Sequence, residues 1–123
     1  MKFQLDTAAG GNLLTRVEPG CVWVNGQPHR NPVVVPWAGA VSPWPVNGFD
    51  DLRAEHFDAL LALQPELVLL GTGARLRFAH PSLTQALMRA GIGVDCMDVA
   101  AACRTYSVLT AEGRKVLAAL IPA

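Results

Sequence analysis

The 123-residue sequence has little charge and no excess of either sign. Charged residues make up 16% of the chain, against about 25% in an average soluble protein, and ten basic residues balance ten acidic ones. Without a basic excess there is no field that would draw the protein to nucleic acid or to an anionic membrane surface. Zero net charge also leaves little repulsion between copies, so a homo-oligomer is compatible with the composition.

Long apolar runs and paired cysteines are absent as well. No run of about 18 apolar residues occurs, and Met1–Asp6 lacks the apolar core of a signal peptide. The three cysteines, Cys21, Cys96 and Cys103, are widely spaced and include no Cys-x-x-Cys pair. These features predict a cytoplasmic protein without membrane insertion, whose thiols are reduced and buried.

What the chain does have is apolar residues, at 51%, and these predict a compact single domain over residues 1–123. The sequence is organised around Glu66–Gly73, where the apolar run Leu67–Leu70 precedes Gly71-Thr72-Gly73. A short apolar run bounded by turn residues predicts a strand buried on both faces. The glycines let the backbone turn at the carboxyl end of that strand, the edge of an open α/β sheet where ligands usually bind.

The first half of the chain is rich in predicted strands. Four segments have strand composition: 3–5, 13–17, 21–24 and 33–35. Asn25-Gly26 predicts a tight hairpin, and Pro28 confines the returning strand to an edge or a bulge. Prolines between Pro36 and Gly48 block helix and central strand alike, which leaves room for a short extended piece around 40–44. Trp37 and Trp44 in that segment either cover the core or form a recognition surface.

The second half alternates between predicted helices and strands. Helices are predicted from Asp50 or Asp51 to Gln64, from Pro81 to Gly91 and from Asp98 to about Leu109, with strands at 66–70 and 92–97. This alternation predicts a parallel sheet with right-handed crossovers. Residues 74–79 alternate, with Leu76 and Phe78 on one face, and predict an extended segment. For 114–120, propensity alone favours a helix.

Three segments together resemble one particular family. They are Leu70–Gly73, Met97-Asp98 and Cys103–Ile121. In this combination they resemble an uncharacterised-domain family of small bacterial and archaeal proteins, whose eukaryotic relatives include a mitochondrial respiratory complex I assembly factor and an adipogenesis-associated protein. The resemblance covers nearly the whole chain. One residue departs from it, because the family usually has asparagine where this chain has Ser107.

The resemblance implies both a fold and a way of working. The implied fold is α/β with three layers, a mixed central sheet flanked by helices, and additional β-strands from the N-terminal half. It also implies that 114–121 is a strand and that this last strand runs antiparallel to the others. No established reaction or cofactor comes with the family, and its eukaryotic members act through protein partners. A protein-interaction or assembly-factor-like module is therefore the function it implies.

The loop after the central strand is the first candidate for a binding site. The backbone N–H groups of Gly71, Thr72 and Gly73 can cradle an anion, with help from Arg75 or Arg77. The alternative is a tight turn in which the glycines only permit the backbone path. No Gly-Lys-Ser/Thr follows, so the loop is not a nucleotide-binding P-loop.

The third predicted helix carries the second candidate. Arg104, with Thr105 and the nearby hydroxyl of Tyr106, can bind a carboxylate. The alternative is that Arg104 pairs with Glu112 or with helix-terminal carbonyls and braces the fold. If strands 66–70 and 92–96 are neighbours, the Gly71–Arg77 loop and the Arg104–Tyr106 helix form one pocket for a small molecule or an anion.

No complete catalytic set is evident in the sequence. The histidines show no metal-ligand spacing, and no serine stands in a nucleophile elbow. Asp98 is expected to cap a helix rather than act as a base. Cys103 is expected to pack in the core, although Arg104 beside it is the kind of neighbour that activates a thiol. We therefore expect no metal and no cofactor, and a binding protein rather than an enzyme, with a small-molecule enzyme as the alternative.

Overall fold

A computed structural model of the protein describes residues 11–123, so the strand predicted at 3–5 lies outside the described residues. An antiparallel three-stranded sheet comes first, formed by β1 (Leu14–Glu18), β2 (Cys21–Val24) and β3 (Gln27–His29). Asn25 and Gly26 have φ values of 54° and 81°, the left-handed pair that a type I′ hairpin turn requires, which confirms the predicted hairpin. Pro28 lies on β3, an edge strand, as proline demands.

The second sheet is mixed and has five strands in the order β5-β4-β8-β6-β7. These are β4 (Val33–Val35), β5 (Ser42–Pro43), β6 (Leu67–Gly71), β7 (Gly93–Met97) and β8 (Val116–Leu120). β6 pairs in parallel with both β7 and β8, so the predicted pairing of the two strands around 66–70 and 92–96 is confirmed.

The direction of the last strand differs from the expectation. β8 is antiparallel to β4 but parallel to β6, so the expectation that it runs antiparallel to all other strands is wrong. The connection explains this, because a helix crosses from β7 to β8 and a strand–helix–strand crossover returns the chain in the same direction. The strand that reverses direction within this sheet is β4.

Helical segments cover both faces of the five-stranded sheet. They are the 3₁₀ turn Phe49–Asp51, α1 (Ala54–Asp58), the 3₁₀ segment Ala59–Leu63, the 3₁₀ turn Pro81–Leu83, α2 (Gln85–Arg89) and α3 (Val99–Ala111). The first two predicted helices are therefore shorter and interrupted. α3 matches its prediction, and the Asp98 carboxylate caps it by accepting the Ala101 N–H at 2.8 Å.

The start of α1 also departs from the prediction. The N-cap residue of α1 is Arg53, whose N–H donates to Nδ1 of His56 at 2.9 Å. Asp51 instead accepts the N–H of Asn47 at 3.1 Å, so neither Asp50 nor Asp51 caps this helix. The physical reason is Leu52, which is buried in an extended conformation and separates the 3₁₀ turn from α1.

The five-stranded sheet separates two apolar cores. Because side chains alternate along a strand, Val68 and Leu70 face the core under α1 and α2, whereas Leu69 faces the core under α3 and the three-stranded sheet. This gives the three-layer mixed α/β architecture that the resemblance implied. Trp44 is buried in the first core, which confirms its covering role, while Trp37 is half-buried.

Candidate functional site

One edge of the five-stranded sheet carries the loop after β6. The strand register places Val33, Leu120, Gly71 and Met97 in one row across β4, β8, β6 and β7. That row marks the carboxyl ends of the three parallel strands, where open α/β sheets usually bind ligands. The chain leaves this edge through the Gly71 loop and through the start of α3.

Gly71 allows α3 to pack closely on the end of β6. A Cβ atom at this position would lie 2.9 Å from Cδ2 of Leu120 and 3.3 Å from both Cβ of Ala102 and Cα of Val99. Since Val99 presents backbone rather than a flexible side chain, the helix cannot yield easily. The glycine is therefore needed for the close approach of sheet and helix.

Thr72 is buried and ties the loop together through its hydroxyl. The hydroxyl donates to the Arg75 carbonyl at 2.7 Å, with the Met97 carbonyl at 3.2 Å, and accepts the Arg77 N–H at 3.0 Å. The Thr72 N–H donates to the same Met97 carbonyl at 2.9 Å. One side chain thus closes residues 72–77 into a turn and holds that turn on the end of β7.

The segment that Thr72 positions presents two exposed apolar side chains. Leu76 is 47% exposed and Phe78 is 75% exposed. Residues 76–80 form neither helix nor strand. Arg77 anchors the segment from the other side, because Nη2 lies 2.6 Å from Oδ1 of Asp50 and the guanidinium stacks 4.2 Å from the ring centroid of Phe49.

The two polar side chains predicted on α3 lie on opposite sides of that helix. Tyr106 is fully buried, and its hydroxyl donates to the Pro36 carbonyl at 2.8 Å. Arg104 is exposed, and among the ion pairs within residues 11–123 none includes it, so the bracing contact with Glu112 is not formed. Thr105 is half-buried.

Tyr106 belongs to a buried polar cluster that sequence reasoning missed. Asn12 donates through Nδ2 to the carbonyls of Pro36 and Gly39 at 2.9 and 3.0 Å, and its Oδ1 accepts from the Asn25 amide at 2.9 Å. The cluster joins α3, the hairpin turn and the segment after β4. Burial raises the pKa of the Tyr106 hydroxyl well above its ordinary value.

A helical spacing in the sequence already marked the buried face of α3. Val99, Ala102, Cys103 and Tyr106 follow each other at i, i+3, i+4 and i+7, and all four are buried. This stripe places Tyr106 toward the sheet and Arg104 toward solvent. Burial also raises the pKa of the Cys103 thiol to about 11, more than the Arg104 charge lowers it, so the thiol stays protonated at neutral pH.

Ser107, where the family usually has asparagine, is exposed on α3. Its hydroxyl donates to the Cys103 carbonyl one turn earlier at 3.1 Å. The serine hydroxyl therefore makes its hydrogen bond within the helix, and an asparagine amide in its place would extend farther into solvent.

All three cysteines of the chain are free thiols.

Glu112-Gly113-Arg114, within the family segment Cys103–Ile121, ends α3. Gly113 has φ 84°, its N–H donates to the Thr110 carbonyl, and the Arg114 N–H donates to the Leu109 carbonyl, both at 3.0 Å. This is a Schellman motif, which needs glycine at the left-handed position.

Arg114 then joins the starts of two strands. Its Nε lies 2.7 Å from Oε1 of Glu66, and Oε2 of Glu66 accepts the Lys115 N–H at 3.1 Å. The hydrogen bond from Arg114, followed by that from Lys115, lowers the pKa of Glu66. The contact ties the residue before β6 to the residue before β8 and has a structural role.

A cavity of about 350 Å³ lies beside Gly73. Gly73 and Ala74 form one wall, the first turn of α3 from Asp98 a second, and the turn after β1 at Glu18 and Pro19 a third. The lining is largely apolar, with two carboxylates. Among the described residues it includes none of 104–106, so the structure brings the loop together with the start of α3 rather than with its middle.

Two further observations concern metal binding and membrane spans. Within residues 11–123, no three His, Cys, Asp or Glu side chains are grouped so that they could hold a metal ion. In the same range, every helix is too short or too polar to span a bilayer.

The fold recurs in solved structures. The chain superposes on a crystal structure of a protein from Bordetella parapertussis with a TM-score of 0.89 and 36% sequence identity, over 94% of this chain and 99% of that chain. Agreement of this extent shows that the two chains share the same overall fold.

Similar sequences occur in animals and in bacteria. The chain is 32% identical over 117 residues to NADH dehydrogenase (ubiquinone) 1 alpha subcomplex assembly factor 3 of Danio rerio, which covers 94% of this chain and 67% of that relative. It spans only 45% of the Mus musculus protein of the same name. It is 39% identical over 114 residues to an uncharacterised protein of Rhodobacter capsulatus, covering 93% of this chain and 87% of that protein.

The chain also matches a family model. The model described as "Protein of unknown function (DUF498/DUF598)" matches residues 14–121, which include both sheets and α3. The chain belongs to this family.

Proposed function

We propose that this protein works by binding another protein, in an assembly-factor-like role. The observation that carries the proposal is the exposed pair Leu76 and Phe78 on residues 74–79, which we call the Phe78 segment. The name of the Danio rerio relative supports the assembly role. Since the chain spans about two thirds of that relative, its partner need not be the same.

The chemistry of the Phe78 segment suits a protein interface. Aromatic and arginine side chains dominate the binding energy of many interfaces, and Phe78 stands in a segment with the exposed Arg75. Burying an exposed phenylalanine on a partner removes a large apolar area from water.

The segment is also held in place before any partner binds. Thr72 fixes its start through the Arg77 N–H, and Arg77 fixes its centre on Phe49 and Asp50. Because a pre-ordered segment loses little conformational entropy on binding, its apolar contacts count almost fully toward affinity. Thr72 is a positioning residue in this proposal.

A test compares two exposed apolar residues. Phe78→Ser removes the aromatic ring from the segment, and Val108→Ser removes a 57% exposed side chain from α3. In affinity capture from a native lysate, we expect proteins held by the wild type and by Val108→Ser to be lost with Phe78→Ser. Identical sets captured by both variants would refute the Phe78 segment as the interface.

The second candidate is a small-molecule-binding protein, conceivably an enzyme, which the cavity beside Gly73 favours. Its volume of about 350 Å³ is within the range of ligand sites. Its lining is largely apolar, with Glu18 paired to Arg16 and Asp98 engaged at the start of α3, and so favours a neutral ligand. Gly71 and Thr72 precede its Gly73 wall along the chain, and Arg75 and Arg104–Tyr106 are outside its lining, so the extended form of this site requires a ligand that reaches beyond the cavity.

Native mass spectrometry of the purified protein separates the two candidates. A bound metabolite that is lost when Ala74→Trp fills the cavity would favour the second. An Arg104→Ala variant tests the extended form of the site, because a ligand reaching along α3 would bind more weakly without the guanidinium. A ligand-free protein that still captures its partner would favour the first.

A further inference from the structure

A second cavity, of about 280 Å³, lies between the edges of the two sheets. One wall is the end of β3 and the residues after it, and the other is β5 with the residue before it. The lining residues used below are His29, Arg30, Asn31 and Ser42, together with three prolines, Pro28, Pro32 and Pro43. Since Asn31 and Pro32 directly precede Val33, and Val33 pairs with Leu120, this cavity lies at the same sheet edge as the Gly71 loop.

The lining supplies hydrogen-bond donors and positive charge without an acidic residue. A guanidinium, a side-chain amide, a hydroxyl and an imidazole are the groups that hold oxyanions in proteins. No Asp or Glu occurs anywhere between Glu18 and Asp50 in the sequence. Among the ion pairs within residues 11–123 none includes Arg30, so no described carboxylate neutralises its charge.

The walls of the cavity are rigid. Each proline fixes its own φ, and backbone pairing holds the flanking residues: His29 pairs with Val22, and Val33 with Pro43. The Trp44 N–H donates to the Pro32 carbonyl at 2.9 Å, which joins the two walls. A ligand that enters therefore orders little of the backbone, and its main ordering cost is that of the exposed Arg30, Asn31 and Ser42 side chains.

We propose that this cavity, the Arg30 pocket, binds a small oxyanion, either a phosphoryl or a carboxylate group, through Arg30 with Asn31 and Ser42. The cavity beside Gly73 differs, because its lining is largely apolar and its two carboxylates are engaged, Glu18 with Arg16 and Asp98 with the Ala101 N–H. The Arg30 pocket is independent of the Phe78 segment, so either proposal can fail without the other.

The test is a titration followed by backbone amide chemical shifts, with sodium phosphate and sodium acetate in separate arms and sodium chloride at matched ionic strength. We expect saturable shifts at Arg30, Asn31 and Ser42 with phosphate, acetate or both, and none with chloride. The arm that saturates at the lower concentration identifies the oxyanion class. Arg30→Gln should weaken the binding about tenfold, the value of one charge-assisted hydrogen bond.

The matched control is Arg89→Gln, which removes an exposed arginine from α2 and leaves the same net charge as Arg30→Gln. It should bind as the wild type does. Ser42→Ala keeps the charge and should weaken binding less than Arg30→Gln. The proposal is overturned if chloride gives the same shifts, if Arg30→Gln and Arg89→Gln titrate alike, or if the shifts occur at Gly71–Arg77 instead, which would point to the loop as the anion site.

Discussion

The two faces of the five-stranded sheet are closed in different ways. One is covered by α3, a helix of 13 residues, together with the three-stranded sheet. The other is covered by α1 and α2, of five residues each, and by 3₁₀ segments. The α3 face also contains the buried cluster of Tyr106, Asn12 and Asn25, whose hydrogen bonds join the helix to the hairpin turn.

Exposed apolar side chains are unevenly divided between these faces. Six large apolar residues are exposed in the described part of the chain, and four of them belong to the α1–α2 side: Leu63, Leu76, Phe78 and Met88. Short helices cover less apolar surface than one long helix does, and the Phe78 segment adds to what they leave exposed. One long helix and a buried polar cluster thus close the α3 face, whereas the α1–α2 side carries more of the exposed apolar surface on which the proposed interface rests.

The largest effect should come from the aromatic ring at the centre of the α3 face. Tyr106→Ala removes a fully buried ring and should lower the free energy of unfolding by about 3–5 kcal/mol. Tyr106→Phe should cost only about 1 kcal/mol, because the Asn12 amide still donates to the Pro36 carbonyl. Urea unfolding measures both variants. If both lost the same small amount, the buried cluster would not be what specifies this face.

Close packing of α3 on β6 gives the next largest effect. Gly71→Ala should lower the free energy of unfolding by about 1–3 kcal/mol, since its Cβ would overlap Leu120 and crowd the Val99 backbone. Gly93→Ala on β7 is the matched control, because its Cβ meets only Cδ1 of Leu67, at 3.4 Å. We expect the control to unfold at the wild-type urea concentration or slightly above it. A wild-type midpoint for Gly71→Ala would contradict the tight contact.

Local pattern was enough to predict some elements and not others. The run Leu67–Leu70 predicted a buried strand, and Asp98 as a cap predicted the start of α3. Local pattern did not predict the strand Val116–Leu120. Every residue in it is buried, so the segment shows no alternation, and its alanines and leucines favour a helix. Pairing with β4 and β6 on either side makes it a strand, and only the family resemblance indicated this.

The contacts of the candidate site were still less predictable from the local sequence. The glycines around Thr72 predicted a turn at the right place. The contacts of the Thr72 hydroxyl were not predictable, since one acceptor belongs to Met97, 25 residues away. The Tyr106 hydroxyl contacts the Asn12 carbonyl across 94 residues of sequence. Hydrogen bonds between distant segments depend on the assembled fold, so residue type alone suggested a binding role for Tyr106 where the helical stripe indicated burial.

On the α1–α2 face, loss of an aromatic ring should barely affect stability. Phe78→Ser should change the free energy of unfolding by less than about 0.5 kcal/mol, because the ring is 75% exposed and contributes little apolar burial. Urea unfolding checks this beside Tyr106→Ala, which removes an aromatic ring from the other face. A loss comparable to that of Tyr106→Ala would mean that the Phe78 segment is part of the folding core.

The smallest effect should come from the ion pair between Glu66 and Arg114, which lies away from both faces, at the edge of the sheet where β6 and β8 begin. The pKa of Glu66 is lowered from its ordinary value of 4.5, so its carboxylate stabilises the folded state above about that pH. The contribution is lost as the pH falls through the lowered folded-state pKa. Because the carboxylate is exposed, solvent screens the interaction and the stabilisation is slight.

Thermal unfolding of Glu66→Gln as a function of pH tests this sign. Glutamine keeps an acceptor for the Lys115 N–H and removes only the charge. The melting temperature of the variant should lie slightly below that of the wild type at pH 7, and the two curves should converge in acid. Arg114→Gln and the double variant complete the cycle, and the double variant should be no less stable than either single one. A gap that widens in acid would contradict a lowered pKa, and would place the bracing of β6 against β8 in the backbone pairing of Glu66 and Lys115 alone.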